Sequence, residues 1–283
     1  MTEYKPEDMG GVPGSMRQTG IIMKYTFLDY LRSRRFYILL GITLLIDALL
    51  TALVGYYRPE SFLSSELSFY SSWWGNSATY IVILSGIFFG GDAISGEFQN
   101  KTGYFIIPNP TRRSSIYVGK WLAAFVASSL ILAVFTAITL ANGLYYFGFN
   151  VPYQFLESAL FAWFYLAGVM GFTFFFSSLF KSGSYSILVT AILFLFAFTL
   201  VQTLVSSLVQ IEPWFLVTYG AEIIGNVLKS PYPAHVSTTS FGPGGGTFTI
   251  YSATVEEGLA IIAVYCILTA VLGLVLFERK EFT

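Results

Sequence analysis

Charged residues are scarce in this sequence. Only 11% of its 283 residues are Asp, Glu, Lys or Arg, whereas 55% are hydrophobic. A water-soluble domain has about a quarter of its residues charged, so this composition predicts an integral membrane protein. The formal net charge of -1 also provides no basic excess to neutralise phosphates, which argues against a nucleic-acid partner.

Cysteine and histidine are almost absent. The single cysteine, Cys266, lies inside an apolar run, so the sequence offers no disulfide framework and no thiolate cluster for a metal. The single histidine, His235, has no second histidine or cysteine to complete a zinc site. A Walker A loop is also missing, because no glycine precedes Gly119 and Lys120 at the required spacing. We therefore expect no metal, no cofactor and no catalytic residue in this chain.

Long apolar stretches, in contrast, are abundant. A helix that crosses a hydrocarbon core of about 30 Å needs about 20 mostly apolar residues, and six nearly uncharged stretches are that long. The sequence therefore predicts an all-α polytopic membrane protein, with a leader of residues 1–35 and a single six-span domain of residues 36–283. The predicted spans are residues 36–57, 73–91, 121–147, 155–180, 184–209 and 258–277.

Lysine and arginine lie almost entirely on one side of these spans. Of the 15 such residues, all except Arg58 and Lys229 fall in the leader, in the connections after the second and fourth spans, or at the C-terminal end. The positive-inside rule places that side in the cytoplasm. We therefore expect both termini and the connection of residues 92–120 on the cytoplasmic side of the cytoplasmic membrane, with residues 210–257 outside.

Two segments outside the predicted spans have helical, amphipathic patterns. Residues 15–35 predict a cytoplasmic leader helix on the membrane surface, although the amphipathic pattern is imperfect. Residues 213–229 predict one helix along the outer membrane interface, with Pro213 in its first turn. The turn-rich residues 230–252 contain alternating β-formers and predict a small hairpin or an irregular cap.

Asp47 lies midway along the first predicted span, where an acid costs about 2.5 to 3.5 kcal/mol on insertion scales. Thr43 and Thr51 lie four residues to either side, so all three share one helix face. This polar stripe has two interpretations. It lines a translocation path or a gate, or Asp47 is a protonated acid bonded to a neighbouring helix.

The connection after the second span carries the most specific pattern, GDAISGEFQNKTGYFIIPNPTRRSSIYVGKWLAA, residues 91–124. This pattern and the C-terminal FERKEF, residues 277–282, resemble the permease subunits of ABC-2 type exporters. The order of a basic leader, six spans and a longest external segment before the last span is also similar to that family. One departure is aromatic Tyr104 and Phe105, where the family more often has leucines. The matching residues are Asp92, Glu97, Thr102, Pro108, Pro110, Arg112, Arg113, Gly119 and Lys120.

The resemblance implies a type V exporter-like fold and the permease subunit of an ATP-binding-cassette exporter. It implies a second permease chain, as a homodimer or heterodimer, and partner ATPase subunits that bind ATP and Mg²⁺. A coupling helix near residues 100–108 would insert apolar side chains into a groove of the ATPase, with two arginines at the polar rim. The arginines alternatively serve only as topology determinants. The implied ATPase-coupling residues are Glu97, Lys101, Thr102, Tyr104, Phe105, Ile106, Ile107, Pro108, Arg112 and Arg113.

Two other functions compete with this interpretation. A secondary carrier or channel would use Asp47 as an ion site, but the sequence has no filter motif and no evident pair of broken helices. An intramembrane enzyme would need paired catalytic groups at helix depth, and one external histidine with one intramembrane acid is a poor set. The identity of the substrate does not follow from the sequence.

Overall fold

The computed structural model describes residues 14–100, 112–240 and 247–280. In this part of the chain six helical segments are long and apolar enough to cross a membrane, which confirms the predicted number of spans. The second and third spans begin several residues earlier than predicted. The reason is that a helix extends to the residue that caps its backbone, and not only to the edge of its apolar stretch. The spans are Arg34–Tyr57, Glu66–Gln99, Arg113–Phe147, Tyr153–Leu179, Gly183–Val209 and Val255–Arg279.

Two of these spans are irregular. Within the segment Glu66–Gln99, the second span itself consists of helices Glu66–Tyr70 and Asn76–Gly90, joined by a π-helical turn at Ser71–Gly75. The short helix Ser95–Gln99, which follows after a turn, begins the connection to the third span. The fifth alternates α-helix and π-helix through Gly183–Ile192, Leu193–Ala197, Phe198–Leu204 and Val205–Val209. Each π turn changes the register of the side chains, so one helix face does not continue through either span.

The second and fourth spans form the centre of the bundle. Their most apolar windows are 67% and 61% buried, against 22% for the first span, 11% for the fifth and 17% for the sixth. Small residues allow the central spans to approach closely, since Gly86 lies against Val169 and Gly90 against Thr173. The outer faces of the first, fifth and sixth spans are therefore left for lipid or for another chain.

An aromatic cluster fixes the first turns of the second span. Trp74 stacks on Phe135 of the third span with ring centroids 5.3 Å apart, and Tyr70 lies 4.3 Å from Phe155 of the fourth. The indole Nε1 of Trp74 donates a 2.9 Å hydrogen bond to Ser158 Oγ. These large side chains are fully buried, so this half of the bundle is firmly packed.

The leader forms the predicted helix, Ser15–Arg32. It ends because Ser33 leaves the helical conformation and its hydroxyl accepts a hydrogen bond from the Phe36 backbone N–H, which caps the first span. A short helix, Glu60–Leu63, follows the first span. The sixth span begins with a reciprocal capping box between Thr254 and Glu257.

The segment between the fifth and sixth spans differs from the prediction in one respect. In place of one surface helix, residues 213–229 form two short helices, Val217–Ala221 and Ile223–Asn226, whose apolar residues are buried. The physical reason lies in two glycines. Gly225 packs directly against Gly75 of the second span, and Gly220 packs against Gly258 of the sixth, so the helix breaks and the backbones meet closely.

A two-stranded sheet follows these short helices. Strand β1, Val236–Ser240, pairs antiparallel with β2, Thr247–Tyr251, and Val236 lies opposite Tyr251. This confirms the hairpin as one of the two predicted alternatives. The Tyr251 hydroxyl donates a 2.6 Å hydrogen bond to the Gln210 carbonyl, which connects the hairpin to the end of the fifth span.

Candidate functional site

Several elements meet at one end of the bundle, which we call the basic end. They are the leader helix, the connection after the second span, the start of the fifth span and the last turn of the sixth. The Ser15 and Ser115 hydroxyl oxygens are 2.8 Å apart, and the Gly183 N–H donates a 2.7 Å hydrogen bond to Gln99 Oε1. These are also the segments in which the sequence concentrates its lysines and arginines.

The leader helix packs along the first turns of the third span. Gly119 makes this possible, because a Cβ atom at this position would lie 2.9 Å from both the Ile22 side chain and the Thr19 carbonyl oxygen. At the start of the same contact, the Arg112 N–H donates to Gln18 Oε1 over 3.3 Å. Gly119 of the motif therefore has a structural role, because its lack of a side chain leaves room for the leader helix.

Two ion pairs join the connection to its neighbours. Arg35, at the start of the first span, donates to both carboxylate oxygens of Asp92 at 2.7 and 2.6 Å. Lys120 of the third span pairs with Glu97 and also donates a 3.0 Å hydrogen bond to the Ala93 carbonyl. The Lys120 side chain is only 11% exposed and that of Glu97 21%, so this pair is largely withdrawn from solvent.

The fourth span caps the short helix that follows the second span. Ser177 Oγ accepts hydrogen bonds from the Ile94 and Ser95 N–H groups at 2.9 and 3.0 Å. These two donors would otherwise have no partner at a buried helix start. The position of helix Ser95–Gln99 is therefore set by the fourth span as well as by the third.

The C-terminal turn completes the basic end. Lys280 donates to the carbonyls of Ser178 and Phe180 at 2.9 and 2.7 Å, and its ammonium lies 4.3 Å from the centre of the Phe98 ring. Burial, with a smaller effect of the nearby Lys181 charge, lowers the pKa of Lys280 to about 8. The same lysine thereby joins the sixth span, the end of the fourth span and the helix after the second span.

A cleft of about 490 Å³ opens between the leader helix and the connection after the second span. Its lining combines apolar side chains with polar groups that carry both signs of charge. The residues that give it this character are Tyr25, Asp29, Arg35, Glu97, Asn100 and Lys120.

The predicted ATPase-coupling residues divide into three groups. Glu97 pairs with Lys120, and Arg113 donates to the carbonyls of Glu278 and Lys280 at 2.8 and 2.9 Å, so both make contacts within the chain. Arg112 is exposed at the start of the third span. The others lie outside the described residues: Lys101, Thr102, Tyr104, Phe105, Ile106, Ile107 and Pro108.

The polar stripe of the first span is only partly buried. Asp47 and Thr43 are buried, at 2% and 1% exposure, whereas Thr51 is exposed. Asp47 Oδ1 accepts a 3.4 Å hydrogen bond from the indole of Trp73 in the second span, and Oδ2 has no partner in the described part of the chain. Both threonine hydroxyls bond to carbonyls of their own helix, Leu39 and Asp47.

The other end of the bundle, which we call the opposite end, gathers carboxylates. Glu222 is hydrogen-bonded by the side chain of Gln202, and burial raises its pKa to about 7, although Gln202 and the Lys229 charge act in the other direction. Glu212 accepts a 2.8 Å hydrogen bond from the Tyr219 hydroxyl. His235, Glu212 and Glu257 come together in the same region.

Sequence reasoning identified several of these residues without their partners. Asp92, Glu97, Gly119 and Lys120 belong to the motif that carries the family resemblance, but nothing in the sequence pairs Asp92 with Arg35, 57 residues away. The carboxylates beside His235 were missed because only histidine and cysteine were considered as its co-ligands. The signal available for them was the presence of acids at both boundaries of the segment between the fifth and sixth spans.

The structure therefore defines a six-span membrane protein in which the leader and the C-terminal turn both contact the connection between the second and third spans. A sequence model of the family described as "ABC-2 family transporter protein" matches residues 21–282. Because this match covers most of the chain, the chain belongs to the ABC-2 transporter family. It is a multi-pass transport component of the permease type, and the family implies pairing with an ABC ATPase subunit. No curated protein matches the chain.

Proposed function

We propose that this chain is the permease subunit of an ATP-binding-cassette exporter. A separate nucleotide-binding subunit hydrolyses ATP with Mg²⁺, and this chain carries a substrate out across the cytoplasmic membrane. One observation carries the proposal: the connection after the second span contacts the leader helix and the first, third, fourth, fifth and sixth spans at the basic end. A force applied at this connection reaches the whole bundle.

The orientation of the chain is part of the proposal. The basic end faces the cytoplasm, because its segments hold nearly all the lysines and arginines of the sequence. Both termini are then cytoplasmic, and the short helices and the hairpin of the opposite end are external. Only in this orientation is the basic end accessible to a cytoplasmic ATPase.

Docking of the ATPase is assigned to residues 101–108 together with Arg112. The apolar side chains of Tyr104 and Phe105 enter a groove on the partner, and Arg112 borders the polar rim. Glu97 and Arg113 act differently in this proposal. They hold the connection in place through Lys120 and the C-terminal carbonyls, so that movement of the docked segment is transmitted to the spans.

A second permease chain completes the transporter in this proposal, as a homodimer or a heterodimer. Support comes from the apolar residues that the first and fifth spans expose along their length, such as Leu45 at 60% and Leu200 at 61%. Lipid or a second chain covers these faces, and the proposal assigns part of them to the second chain. The translocation path then lies between the two permeases, and ATP-driven closure of the ATPases alternates its access.

Asp47, Thr43 and Thr51 are the proposed path residues. Asp47→Asn tests this assignment, because the amide oxygen still accepts the bond from Trp73 while the charge is lost. We expect the variant to change the pH profile of ATP hydrolysis by the reconstituted complex, with an unchanged melting temperature. An unaltered profile would assign Asp47 a purely structural role. ATP-independent, pH-driven transport would favour a secondary carrier.

The central experiment is purification of the chain from its native membrane, followed by identification of the proteins that accompany it. We expect an ATPase with Walker motifs, and we expect Phe105→Asp to reduce its recovery at least tenfold without preventing membrane insertion. Phe149→Asp is the matched control, since Phe149 is 98% exposed in the connection between the third and fourth spans, at the opposite end.

Two results would contradict the proposal at different levels. Absence of any Walker-motif partner from the wild-type preparation would reject the exporter function itself. Equal recovery of the ATPase with wild type and Phe105→Asp would reject only the position of the docking segment.

A further inference from the structure

We propose that Glu212, His235 and Glu257 form a binding site for one zinc-like divalent metal ion at the opposite end of the protein. One donor atom of each residue lies within 4.8 Å of a donor atom of the other two. His235 Nε2 is 3.5 Å from Glu212 Oε2, and His235 Nδ1 is 3.7 Å from Glu257 Oε2. Imidazole nitrogen and carboxylate oxygen are both ligands that zinc takes in proteins, and a site with three protein ligands commonly holds water in the fourth position.

The spacing of these atoms suits a small ion. Zinc binds imidazole nitrogen and carboxylate oxygen at about 2.0 to 2.2 Å, which places neighbouring ligands of a tetrahedron roughly 3.3 to 3.6 Å apart. The 3.5 Å between His235 Nε2 and Glu212 Oε2 has this value. One ring nitrogen binds one ion, so the Glu257 carboxylate, whose Oε2 lies 3.7 Å from Nδ1, has to rotate to bring its oxygen to the same centre. The side chains are 26% to 41% exposed, which leaves access for the ion and for a water ligand.

The balance of charge at this site independently favours a cation. With a neutral imidazole the three side chains carry a charge of about -2. In the described part of the chain, the ion pairs of Glu212 and Glu257 are with His235 alone, and neither acid pairs with a lysine or an arginine.

Bonds from surrounding groups orient all three side chains. The Tyr219 hydroxyl donates to Glu212 Oε1 at 2.8 Å and leaves Oε2 on the side of His235. The Thr254 N–H donates to Glu257 Oε2 at 3.0 Å. His235 Nδ1 lies 3.1 Å from the Ser252 carbonyl; if Nδ1 carries the proton, it donates there and Nε2 keeps its lone pair. A carbonyl acceptor on the second ring nitrogen is the usual outer partner of a metal-binding histidine.

The ligands come from three separate elements, which gives the site a structural consequence. Glu212 follows the fifth span, His235 precedes β1, and Glu257 lies in the first turn of the sixth span. A bound ion joins these elements directly. It therefore fixes the external segment against the start of the sixth span. This inference does not depend on an ATPase or on the direction of transport.

Titration of the purified full-length chain in detergent with ZnCl₂ tests the site, with bound zinc measured calorimetrically and thermal unfolding followed by tryptophan fluorescence. We expect one Zn²⁺ per chain and a higher melting temperature with zinc. His235→Ala and Glu212→Gln should each weaken binding at least tenfold. Glu256→Gln is the matched control, because Glu256 is an exposed acid adjacent to Glu257 and should bind zinc as the wild type does.

Each result has a defined meaning. No zinc binding by the wild type, or equal binding by wild type and His235→Ala, would overturn the site. Loss of binding by Glu256→Gln as strongly as by Glu212→Gln would also overturn it, since attraction to general negative charge would then suffice. If His235→Ala does not fold, Glu212→Gln decides the question, because it preserves the acceptor for Tyr219.

Discussion

The two ends of this molecule differ in how their charged side chains are paired. At the basic end Asp92 pairs with Arg35 and Glu97 pairs with Lys120, so positive and negative groups bond directly between helices. At the opposite end the described ion pairs of Glu212 and Glu257 involve only a histidine, and Glu222 is held by a neutral amide. The first arrangement holds helices together at any ordinary pH. The second depends on protons or on an added cation.

The largest effect should come from breaking the less exposed pair at the basic end. Lys120→Met leaves Glu97 without its cation, and loss of one partner from a largely buried pair costs about 3 to 5 kcal/mol. We expect a correspondingly lower melting temperature of the detergent-solubilised protein. Lys24→Met, at an exposed position of the leader helix, is the control. Adding Glu97→Gln to Lys120→Met should restore part of the loss; no recovery would show that Lys120 acts mainly through the Ala93 carbonyl.

Glu222 should produce the largest pH effect at the opposite end. Its pKa of about 7 in the folded protein lies above its ordinary value of 4.5, so the folded state binds the proton more tightly than the unfolded state. Stability should therefore fall as pH rises from about 4.5 to about 7, and should change little above that. Glu222→Gln removes this dependence and should be more stable at pH 8 by up to about 3 kcal/mol.

Melting temperatures of wild type and Glu222→Gln, measured at intervals from pH 4.5 to pH 8, check this expectation. The two curves should meet near the acid limit and separate towards neutrality. Glu256→Gln, at an exposed position, should follow the wild type. Parallel curves for wild type and Glu222→Gln would mean that Lys229 and Gln202 keep the carboxylate ionised.

A smaller effect should follow from Gly119→Ala. The added methyl group would lie 2.9 Å from Ile22 and from the Thr19 carbonyl, and overpacking of this kind costs about 1 to 3 kcal/mol. Gly20→Ala in the same leader helix has no atom within 4 Å of the added carbon and should be neutral or slightly stabilising. Melting temperatures of the two variants provide the test, and equal values would show that the leader helix can move away without cost.

The smallest effect should come from the exposed ion pair. Arg35 is 47% exposed in its pair with Asp92, and pairs in contact with solvent contribute about 0 to 1 kcal/mol. Arg35→Gln should therefore change the melting temperature far less than Lys120→Met does. A loss as large as that of Lys120→Met would show that Asp92 needs its cation despite this exposure.

The sequence predicted the spans well because membrane insertion depends on the sum of local hydrophobicity, which any stretch of about 20 residues reports by itself. It also predicted the leader helix, and it gave the hairpin as one of two alternatives for residues 230–252. The pair of short helices at the opposite end was predicted less well, because contacts of Gly220 and Gly225 with distant glycines override the amphipathic pattern of the segment.

The candidate site also depends on contacts between distant residues, which the sequence did not predict. The motif identified Glu97 and Lys120 as important, but their pairing is a tertiary contact across 23 residues. Likewise, His235 meets acids that lie 23 and 22 positions away in the sequence. Periodicity and motif spacing describe neighbours along one helix, and neither describes which helix ends meet.

The contacts of the first turn of the third span also affect the order in which the protein assembles during synthesis. Arg113 bonds to the carbonyl of Glu278, 165 residues later, while Ser115 meets Ser15, 100 residues earlier. At a synthesis rate of 5 to 20 residues per second, about 10 to 30 s pass between the synthesis of Arg113 and the synthesis of its hydrogen-bond acceptors. The basic end therefore closes last, after the ribosome has delivered the sixth span, and a chain interrupted before that point lacks the bonds that complete this end.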